Sequence, residues 1–154
     1  MRKIELTQGK FAIVDDEDYE YLRQFKWYYR EGYAARGIRK PNGKWTTIYM
    51  HRVIMGASEC MEVDHINGDK SDNRKENLRI CTLLENRRNR TKYKSNTTGY
   101  KGVYYDRRKI RAKIKTDNKQ IYLGSFKTLK EAAKAYNEAA LKYHGEYARL
   151  NKVA

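Results

Sequence analysis

The segment from Asp64 to Asn86 gathers the side chains of this chain that are best suited to acid–base and metal chemistry. A carboxylate and an imidazole are adjacent at Asp64 and His65, and Asn77 and Asn86 follow. Divalent cations such as Mg²⁺ prefer hard oxygen ligands, which Asp64 and Asn86 could supply. A neutral imidazole beside the cation could take a proton from an attacking water. The segment therefore predicts a metal-assisted hydrolytic site.

Each of these polar residues also has a purely structural interpretation. Asn67, Gly68 and Asp69 are common turn formers. Asn77 could hydrogen-bond the backbone of the loop, and Asn73 could cap a short helix. A single Asp-His pair on a surface turn would carry little weight. The ordered combination within 23 residues favours the chemical interpretation.

Charge is distributed unevenly along the 154 residues. The formal net charge of +15 at pH 7 favours a polyanionic partner, and nucleic acid more than a membrane surface. Residues 1–86 carry 15 Lys and Arg against 14 Asp and Glu, whereas residues 87–154 carry 19 against 5. This asymmetry predicts two modules with different roles. The alternative is a disordered basic tail, but Tyr, Ile and Leu recur there at structured spacing.

The cysteines and the hydropathy pattern narrow the class of protein further. Cys60 and Cys81 are too few for a cysteine-only zinc site or a disulfide framework, so reduced thiols are expected, with one disulfide as the alternative. No run of about 18 apolar residues and no signal-peptide pattern occurs. We therefore expect a soluble protein that does not bind membranes.

The first 50 residues are predicted to form a β-rich leader. Lys3–Val14 predicts strand, turn and strand, and an acidic cluster then opens a short helix over roughly 17–25. Strands are predicted over Trp27–Ala35 and Lys44–Met50, on either side of a turn at Pro41. The aromatic side chains of this part are expected in the core and on the sheet surface; they are Trp27, Tyr28, Tyr29, Tyr33 and Trp45.

The candidate site is predicted to lie on two strands and a helix. Met61–His65 and Leu78–Cys81 are predicted strands on either side of a polar loop over 67–77. Thr82, with a glutamate three residues later, predicts the start of a helix that continues to about residue 90. Asn86 would lie in the first turns of this helix. Folding the hairpin back onto the helix would bring the carboxylate, the imidazole and this amide together.

Residues 48–90 contain three stretches in an order typical of a known family: YMHRVIMG, VDHINGDKSDNRKENLRICT and Glu85-Asn86. They closely resemble the HNH homing endonucleases, and specifically the phage and bacterial variants whose last histidine is replaced by asparagine. The resemblance implies a ββα-metal fold. It also implies hydrolysis of DNA phosphodiester bonds that leaves 5′-phosphate and 3′-hydroxyl ends.

The resemblance implies a role for each matching residue. His65 resembles the general base, and Asp64 and Asn86 resemble the ligands of one Mg²⁺ or Mn²⁺ ion per active site. Asn77 resembles the middle asparagine, which braces the loop and orients the base. His51 matches the leading histidine, with a supporting or DNA-contacting role. Because an amide oxygen suits Mg²⁺ better than zinc, no zinc is expected.

The C-terminal part predicts a basic sheet covered by a helix. Ile110–Lys115 alternates apolar and cationic residues, which suits a strand with one face toward phosphates. Thr128 and Glu131 form a predicted capping box, and Gly145 is the predicted helix end. The predicted core stripe of this helix is Leu129, Ala132, Ala133, Tyr136, Ala139, Ala140 and Tyr143. The charged face and its flanks are expected to add DNA contacts at Arg107, Arg108, Arg111 and Lys113, and the preceding linker at Arg87, Arg88 and Arg90.

Residues 98–151 contain GYKGV, YLGSF, EAAKAYNEAA and ARLN in that order. They strongly resemble the APETALA-type, ethylene-response-factor DNA-binding domain, which implies that a three-stranded sheet contacts the major groove. The matching DNA-contacting positions are Lys101, Tyr104, Lys109, Lys115 and Tyr122. Tyr104 stands where many members carry arginine, the residue that binds guanine bidentately. The GC-rich preference of the plant members is therefore not expected here.

Taken together, an α+β fold is expected, with a nuclease domain over 1–90, a basic linker over 87–97 and a DNA-binding domain over 98–151. The leader covers 1–47 and the HNH motif 48–90. We expect a monomeric or homodimeric, homing-type endonuclease acting on double-stranded DNA. We expect it in the cytoplasm of a bacterial or phage-infected cell, associated with the nucleoid. The alternatives are a DNA-binding regulator with a non-catalytic HNH segment and a basic ribosome- or RNA-binding protein.

Overall fold

The computed structural model describes residues 1–93, 95–116 and 119–153, so Lys94 of the predicted linker lies outside the described residues. The chain divides into two compact units, Met1–Leu83 and Leu84–Ala154. Small antiparallel sheets and a C-terminal helix packed on a sheet make the fold mixed α+β. The predicted fold class is confirmed.

The first unit opens with a β-hairpin and a short helix. β1 (Arg2–Glu5) pairs antiparallel with β2 (Phe11–Val14), and a 3₁₀ turn over Thr7–Gly9 joins them. α1 (Asp16–Leu22) follows, with three acidic residues in its first turn, where the helix dipole favours negative charge. The helix ends three residues before the predicted end at about residue 25.

A three-stranded antiparallel sheet follows, made of β3 (Tyr28–Arg30), β4 (Tyr33–Arg39) and β5 (Trp45–Tyr49) in that order. The turn at Pro41 is confirmed, because Lys40 and Lys44 close it with a backbone hydrogen bond of 2.8 Å. Ala34 and Ala35, which lie on opposite faces of β4, are both buried, so the sheet is covered on both sides at this point.

The predicted strand over Trp27–Ala35 is wrong, since it is two strands separated by a tight turn. The chain reverses at Glu31 and Gly32, whose φ angles are 52° and 96°. Two successive residues with positive φ give the turn twist that matches a β-hairpin. Gly32 adopts this conformation without steric cost, and its position in an otherwise aromatic run was the available signal.

A short helix that the sequence did not predict follows β5. α2 (Met50–Met55) ends at Gly56, which adopts a left-handed conformation with φ 58° and ψ 30°. Met50 is fully buried and packs in the core formed by the leader, together with Val14, Leu22 and Trp27. This shared core joins the leader to the helix that carries His51.

The predicted strand–loop–strand–helix order is confirmed. β6 (Glu62–His65) pairs antiparallel with β7 (Leu78–Cys81), across a loop that contains a 3₁₀ turn over Lys75–Asn77. α3 (Leu83–Asn89) begins at the last residue of the first unit, and its other residues belong to the second.

In the second unit, α4 (Leu129–His144) packs on a sheet with strand order β10-β9-β8. The strands are β8 (Val103–Asp106), β9 (Lys109–Lys115) and β10 (Gln120–Phe126). The predicted capping box is present, because the Thr128 hydroxyl accepts from the backbone N of Glu131 and the Glu131 carboxylate accepts from the backbone N of Thr128. The helix ends at Gly145 as predicted.

The helix stripe predicted for the second unit is confirmed except at its end. Four alanines and Tyr136 are buried between helix and sheet, and Leu129 is half-buried at the edge of the same core. Tyr143 is 39% exposed, so its predicted place in the core is wrong. The last turn of the helix lies at the end of β9, where His144 faces the strand and its Nε2 lies 3.0 Å from the carbonyl oxygen of Lys115.

Candidate active site

Two buried histidines lie side by side in the first unit. His51 comes from α2 and His65 ends β6, and their ring centroids are 5.0 Å apart at an interplanar angle of 69°. The residues are only 7% and 5% exposed. The structure therefore brings together two predicted site residues that are 14 positions apart in sequence.

Two tyrosines from the preceding sheet complete this cluster. The ring of Tyr33 lies 5.3 Å from His51 and 5.9 Å from His65, centroid to centroid. Tyr49 stacks on His51 at 5.7 Å. The ammonium of Lys70 lies 4.2 Å from the centre of the Tyr33 ring. Sequence reasoning assigned Tyr33 to the core or sheet surface and gave no signal that it contacts the histidines.

Burial keeps both imidazoles in the neutral form at pH 7. Burial, together with the neighbouring His65 and Arg52, lowers the pKa of His51 to about 3. Burial also lowers the pKa of His65, although Asn73 and nearby carboxylates oppose the shift. A neutral imidazole can accept a proton, so His65 is in the form that a general base requires.

Asp64 forms an ion pair that the sequence analysis missed. Nε and Nη2 of Arg79 donate to the same carboxylate oxygen, Oδ2, at 3.0 and 2.7 Å. The two residues are directly opposite in the β6–β7 hairpin, and both side chains are largely buried. The strand register was the signal that could have revealed this pair.

Asp64 could supply one carboxylate oxygen to a Mg²⁺ ion that is otherwise held by water and phosphate. Across the described part of the chain, no group of three or more His, Cys, Asp or Glu residues could hold a metal ion. Mg²⁺ commonly uses one or two carboxylates and completes its shell with water and substrate phosphates. Asp64 can supply such an oxygen, but a cation would share this carboxylate with Arg79.

Asn77 fixes the loop that follows His65. Its Oδ1 accepts from the backbone N of Asn67 at 3.0 Å, and its Nδ2 donates to the carbonyl oxygen of Asp72 at 2.8 Å. Asn73 does not cap the 3₁₀ turn, because Arg74 occupies the capping position. Asn73 is a fully buried residue of the same loop.

The leader holds the same loop from the other side. The backbone of Ile13 accepts from the N of Asn73 and donates to the oxygen of Ser71, both at 2.8 Å. These bonds form a parallel β-bridge between Ile13 and Asp72. The backbone N of Lys75 also donates to Asp15 at 2.8 Å. The leader is therefore part of the structure that supports the site.

The remaining predicted residues near the motif lie in the second unit. Asn86 is half-buried on α3, and its metal-ligand role stays a prediction. Arg87 and Arg90 are exposed and Arg88 is half-buried. Their DNA contacts also stay predictions. Cys60 and Cys81 are free thiols, which excludes the alternative disulfide.

The predicted DNA-binding face of the second unit combines cations and tyrosines. Arg111 is paired across the sheet with Tyr104, and Lys113 with Tyr122, so these side chains share a face. The ammonium of Lys113 lies 4.7 Å from the ring centre of Tyr104. Arg111 also forms an ion pair with Asp106. Arg107, Arg108, Lys109, Lys115 and Tyr122 are exposed.

Lys101 differs from the other predicted DNA-contacting residues. Its ammonium donates to the carbonyl oxygen of Arg88 at 2.5 Å. Burial, with a smaller contribution from the nearby Arg149, lowers the pKa of Lys101 to about 8. In this arrangement Lys101 ties the α3 segment to the sheet, and its contact with DNA stays a prediction.

Comparison with known proteins agrees with the geometry of the first unit. Residues 48–88 match the family model described as HNH endonuclease. The chain is 29% identical over 157 aligned residues to an uncharacterized HNH endonuclease of Acanthamoeba polyphaga mimivirus, which covers 95% of this chain and 77% of the relative.

A second, shorter similarity concerns a DNA-binding protein. An ethylene-responsive transcription factor-like protein of Arabidopsis thaliana is 50% identical over 40 residues, or 26% of this chain and 18% of the relative. No solved structure matches the chain significantly. Among the described residues, no helix is long and apolar enough to cross a bilayer.

Proposed function

We propose that this protein is a metal-dependent endonuclease that hydrolyses phosphodiester bonds in double-stranded DNA, targeted by its second unit. The observation that carries the proposal is the contact between the buried rings of His51 and His65, beside Asp64, within the residues that match the HNH family. A neutral base and a carboxylate suited to a divalent cation are the two groups that such hydrolysis requires.

In this proposal His65 accepts the proton of the attacking water. Its ring is held by β6 on one side and by contacts with His51 and Tyr33 on the other. Asn77 orients the base indirectly, because it fixes the loop that begins at His65. His51 is a positioning residue that packs against the base in the neutral form.

The metal proposed here is one Mg²⁺ or Mn²⁺ ion held by Asp64 and Asn86. When bound, it would offset the negative charge that develops on the phosphate oxygens. The oxygen donors of these two side chains support magnesium rather than zinc. Asp64 directly precedes His65 on β6, and its negative charge opposes the lowering of the pKa of His65.

Binding of duplex DNA is assigned to the second unit. Its outer sheet face carries Arg111 and Lys113 between tyrosines, with no apolar side chain of β9 on that side. Such a face can lie against phosphates while the aromatic rings pack on sugars or bases. A homing-type role in a phage or bacterial mobile element fits this pairing of cutting and binding units.

One observation favours a second candidate function. The double hydrogen bond from Arg79 to Asp64 supplies this carboxylate with a cation already. If that pair persists in solution and excludes a metal, the protein would be a DNA-binding regulator with a non-catalytic HNH domain.

Plasmid cleavage separates the two functions. Supercoiled plasmid is incubated with the full chain in Mg²⁺ or in Mn²⁺, beside His65→Ala and the closer isostere His65→Gln. We expect nicked or linear DNA with the wild type, and a rate at least about 100-fold lower with either variant. Both variants should still shift a DNA duplex in a gel and keep a folded circular dichroism spectrum. A wild type that binds duplex but leaves plasmid intact in both metals establishes the regulator.

A further inference from the structure

One side of the β3–β5 sheet carries a set of aromatic and basic side chains, which are exposed at the end nearest the turn at Pro41. The antiparallel register pairs Arg39 with Trp45, Gly37 with Thr47 and Tyr28 with Ala35, and paired residues share a face. Ala34, on the other side of β4, packs in the core. We name this surface the tryptophan face and define it as Tyr28, Arg30, Gly37, Arg39, Trp45 and Thr47.

Trp45 is unusually open to solvent for a tryptophan. It is 74% exposed, although large aromatic residues normally bury most of their surface. The indole lies across Gly37, where an added Cβ would be 3.6 Å from its Cε3 atom. The glycine thus leaves room for the ring to lie on the sheet, with its outer side available for stacking on a base or a sugar.

Cations predominate in the chain segment that forms the tryptophan face, although Glu31 adjoins Arg30. Residues 32–58 contain five Lys and Arg and no Asp or Glu, although residues 1–86 as a whole are almost neutral. Arg30 and Arg39 are exposed on the face, and Lys40 and Lys44 flank the turn at its end. A surface of this kind attracts phosphates and repels acidic protein surfaces.

Hydrogen bonds across the strands hold the centre of the face. Nη1 of Arg30 donates to Oγ1 of Thr47 at 3.2 Å, and the hydroxyl of Tyr28 lies 3.3 Å from the same oxygen. Arg30 is therefore positioned before any ligand arrives, which lowers the entropy cost of binding.

The tryptophan face is continuous with the histidine cluster. Along β5, Tyr49 lies on the same side as Trp45 and stacks on His51. On β4, Tyr33 lies on the same side as Arg39 and contacts both histidines. Trp45 and Tyr49 are four residues apart on an extended strand, which corresponds to about 13 Å. This distance equals the length of about four base pairs of duplex.

We propose that the tryptophan face is a second DNA-binding surface, which holds the sugar–phosphate backbone about four base pairs from the bond that is cut. Arg30 and Arg39 bind phosphates, and Trp45 packs on a sugar or a base edge. This inference rests on the proposed function, because it takes the histidine cluster as the place of cleavage.

Tryptophan fluorescence tests the proposal on the full chain, because the two tryptophans differ in exposure. Trp27 is buried and Trp45 is exposed, so acrylamide should quench mainly Trp45. Quenching is measured in EDTA, with and without a saturating 30-base-pair duplex. We expect the duplex to lower the quenching constant at least about twofold in the wild type and to leave it unchanged in Trp45→Phe. An equally quenchable Trp45 in the saturated complex overturns the proposal.

The arginines are tested by the salt dependence of binding to the same duplex. Arg30→Gln with Arg39→Gln should reduce the slope of log K against log salt by about two, because two phosphate contacts are lost. The matched control is Arg2→Gln with Arg23→Gln, two arginines that pair with Glu20. Equal slopes in the two double variants overturn the proposal.

Failure of this inference can be told apart from failure of the proposed function. Both measurements are made without metal, so neither depends on cleavage. Shielding of Trp45 without plasmid nicking supports the tryptophan face and rejects the nuclease. Nicking without shielding or a slope change supports the nuclease and rejects the tryptophan face.

Discussion

Arg79 binds Asp64 through two nitrogens that converge on one carboxylate oxygen. Both residues belong to the hairpin that also carries His65, and they are paired directly across it. The carboxylate proposed to bind a metal is therefore also a structural partner of the opposite strand. Substitutions can therefore separate the contribution of this carboxylate to protein stability from its proposed role in metal binding.

Arg79→Met should destabilise the first unit by roughly 3 kcal/mol, because it removes the cation from a buried carboxylate. Adding Asp64→Asn should recover most of this loss, since the amide carries no charge. The free energies of unfolding of both single variants and the double variant, from urea denaturation, give the coupling. Additive effects in this double-mutant cycle would show that the pair does not contribute to stability.

Acid should destabilise the protein through His51. Its pKa is about 3 in the folded state against 6.5 for the ordinary side chain, so the unfolded chain binds more protons between these values. The stabilising contribution is present above pH 6.5 and is lost as the pH falls. Between pH 6.5 and pH 5 the loss from this group should be about 2 kcal/mol.

The measurement is the free energy of unfolding of the wild type and of His51→Phe at several pH values between 5 and 7.5. The free energy of unfolding of the phenylalanine variant should depend less steeply on pH, because one neutral buried imidazole is gone. The pKa of His65 is also lowered, so some dependence should remain. Identical slopes for the two proteins would contradict this assignment.

Gly102→Ala should destabilise the second unit by roughly 3 kcal/mol or more. An added Cβ would lie 2.1 Å from Cδ2 of Tyr136 and 2.7 Å from the carbonyl oxygen of Lys113, at a residue with φ 77°. Gly99→Ala is the matched control, with φ 82° but no atom closer than 3.9 Å. The control should cost only about 1–2 kcal/mol in the same denaturation experiment, from backbone strain alone. Equal losses of stability in the two variants would mean that the contact with Tyr136 adds nothing to the backbone strain.

Lys113→Ala with Lys115→Ala should weaken duplex binding and reduce its salt slope by about two. The two side chains project from β9 on the side opposite the buried Ala112 and Ile114. Lys130→Ala with Lys134→Ala removes the same charge from exposed positions of α4 and should leave the slope nearly unchanged. A wild-type slope in the β9 variant would reject the sheet face as a DNA-binding surface.

The sequence was most informative where local chemistry decides the structure. The alternation in Ile110–Lys115 and the Thr128–Glu131 pair correctly placed β9 and the start of α4. The strands around the loop over 67–77 were also predicted within one residue. These features depend on side-chain period and capping, which act over only a few residues.

The errors and omissions involve contacts between distant segments or a choice between similar patterns. The aromatic run before Ala35 suits one long strand as well as two, and only Gly32 indicated the turn. The contacts of Tyr33 with the histidines need three separate elements to converge. The Arg79–Asp64 pair depends on the hairpin register, which turn length and burial fix together.

The backbone bridge between Ile13 and Asp72 limits how the proposed cutting unit could be engineered. Residues 48–88 contain the recognisable motif, but their loop takes two backbone hydrogen bonds from a strand that ends at Val14. A graft of the motif alone would expose those groups and the apolar side of α2. The smallest transferable cutting module therefore begins with β1, well before the residues by which the family is recognised.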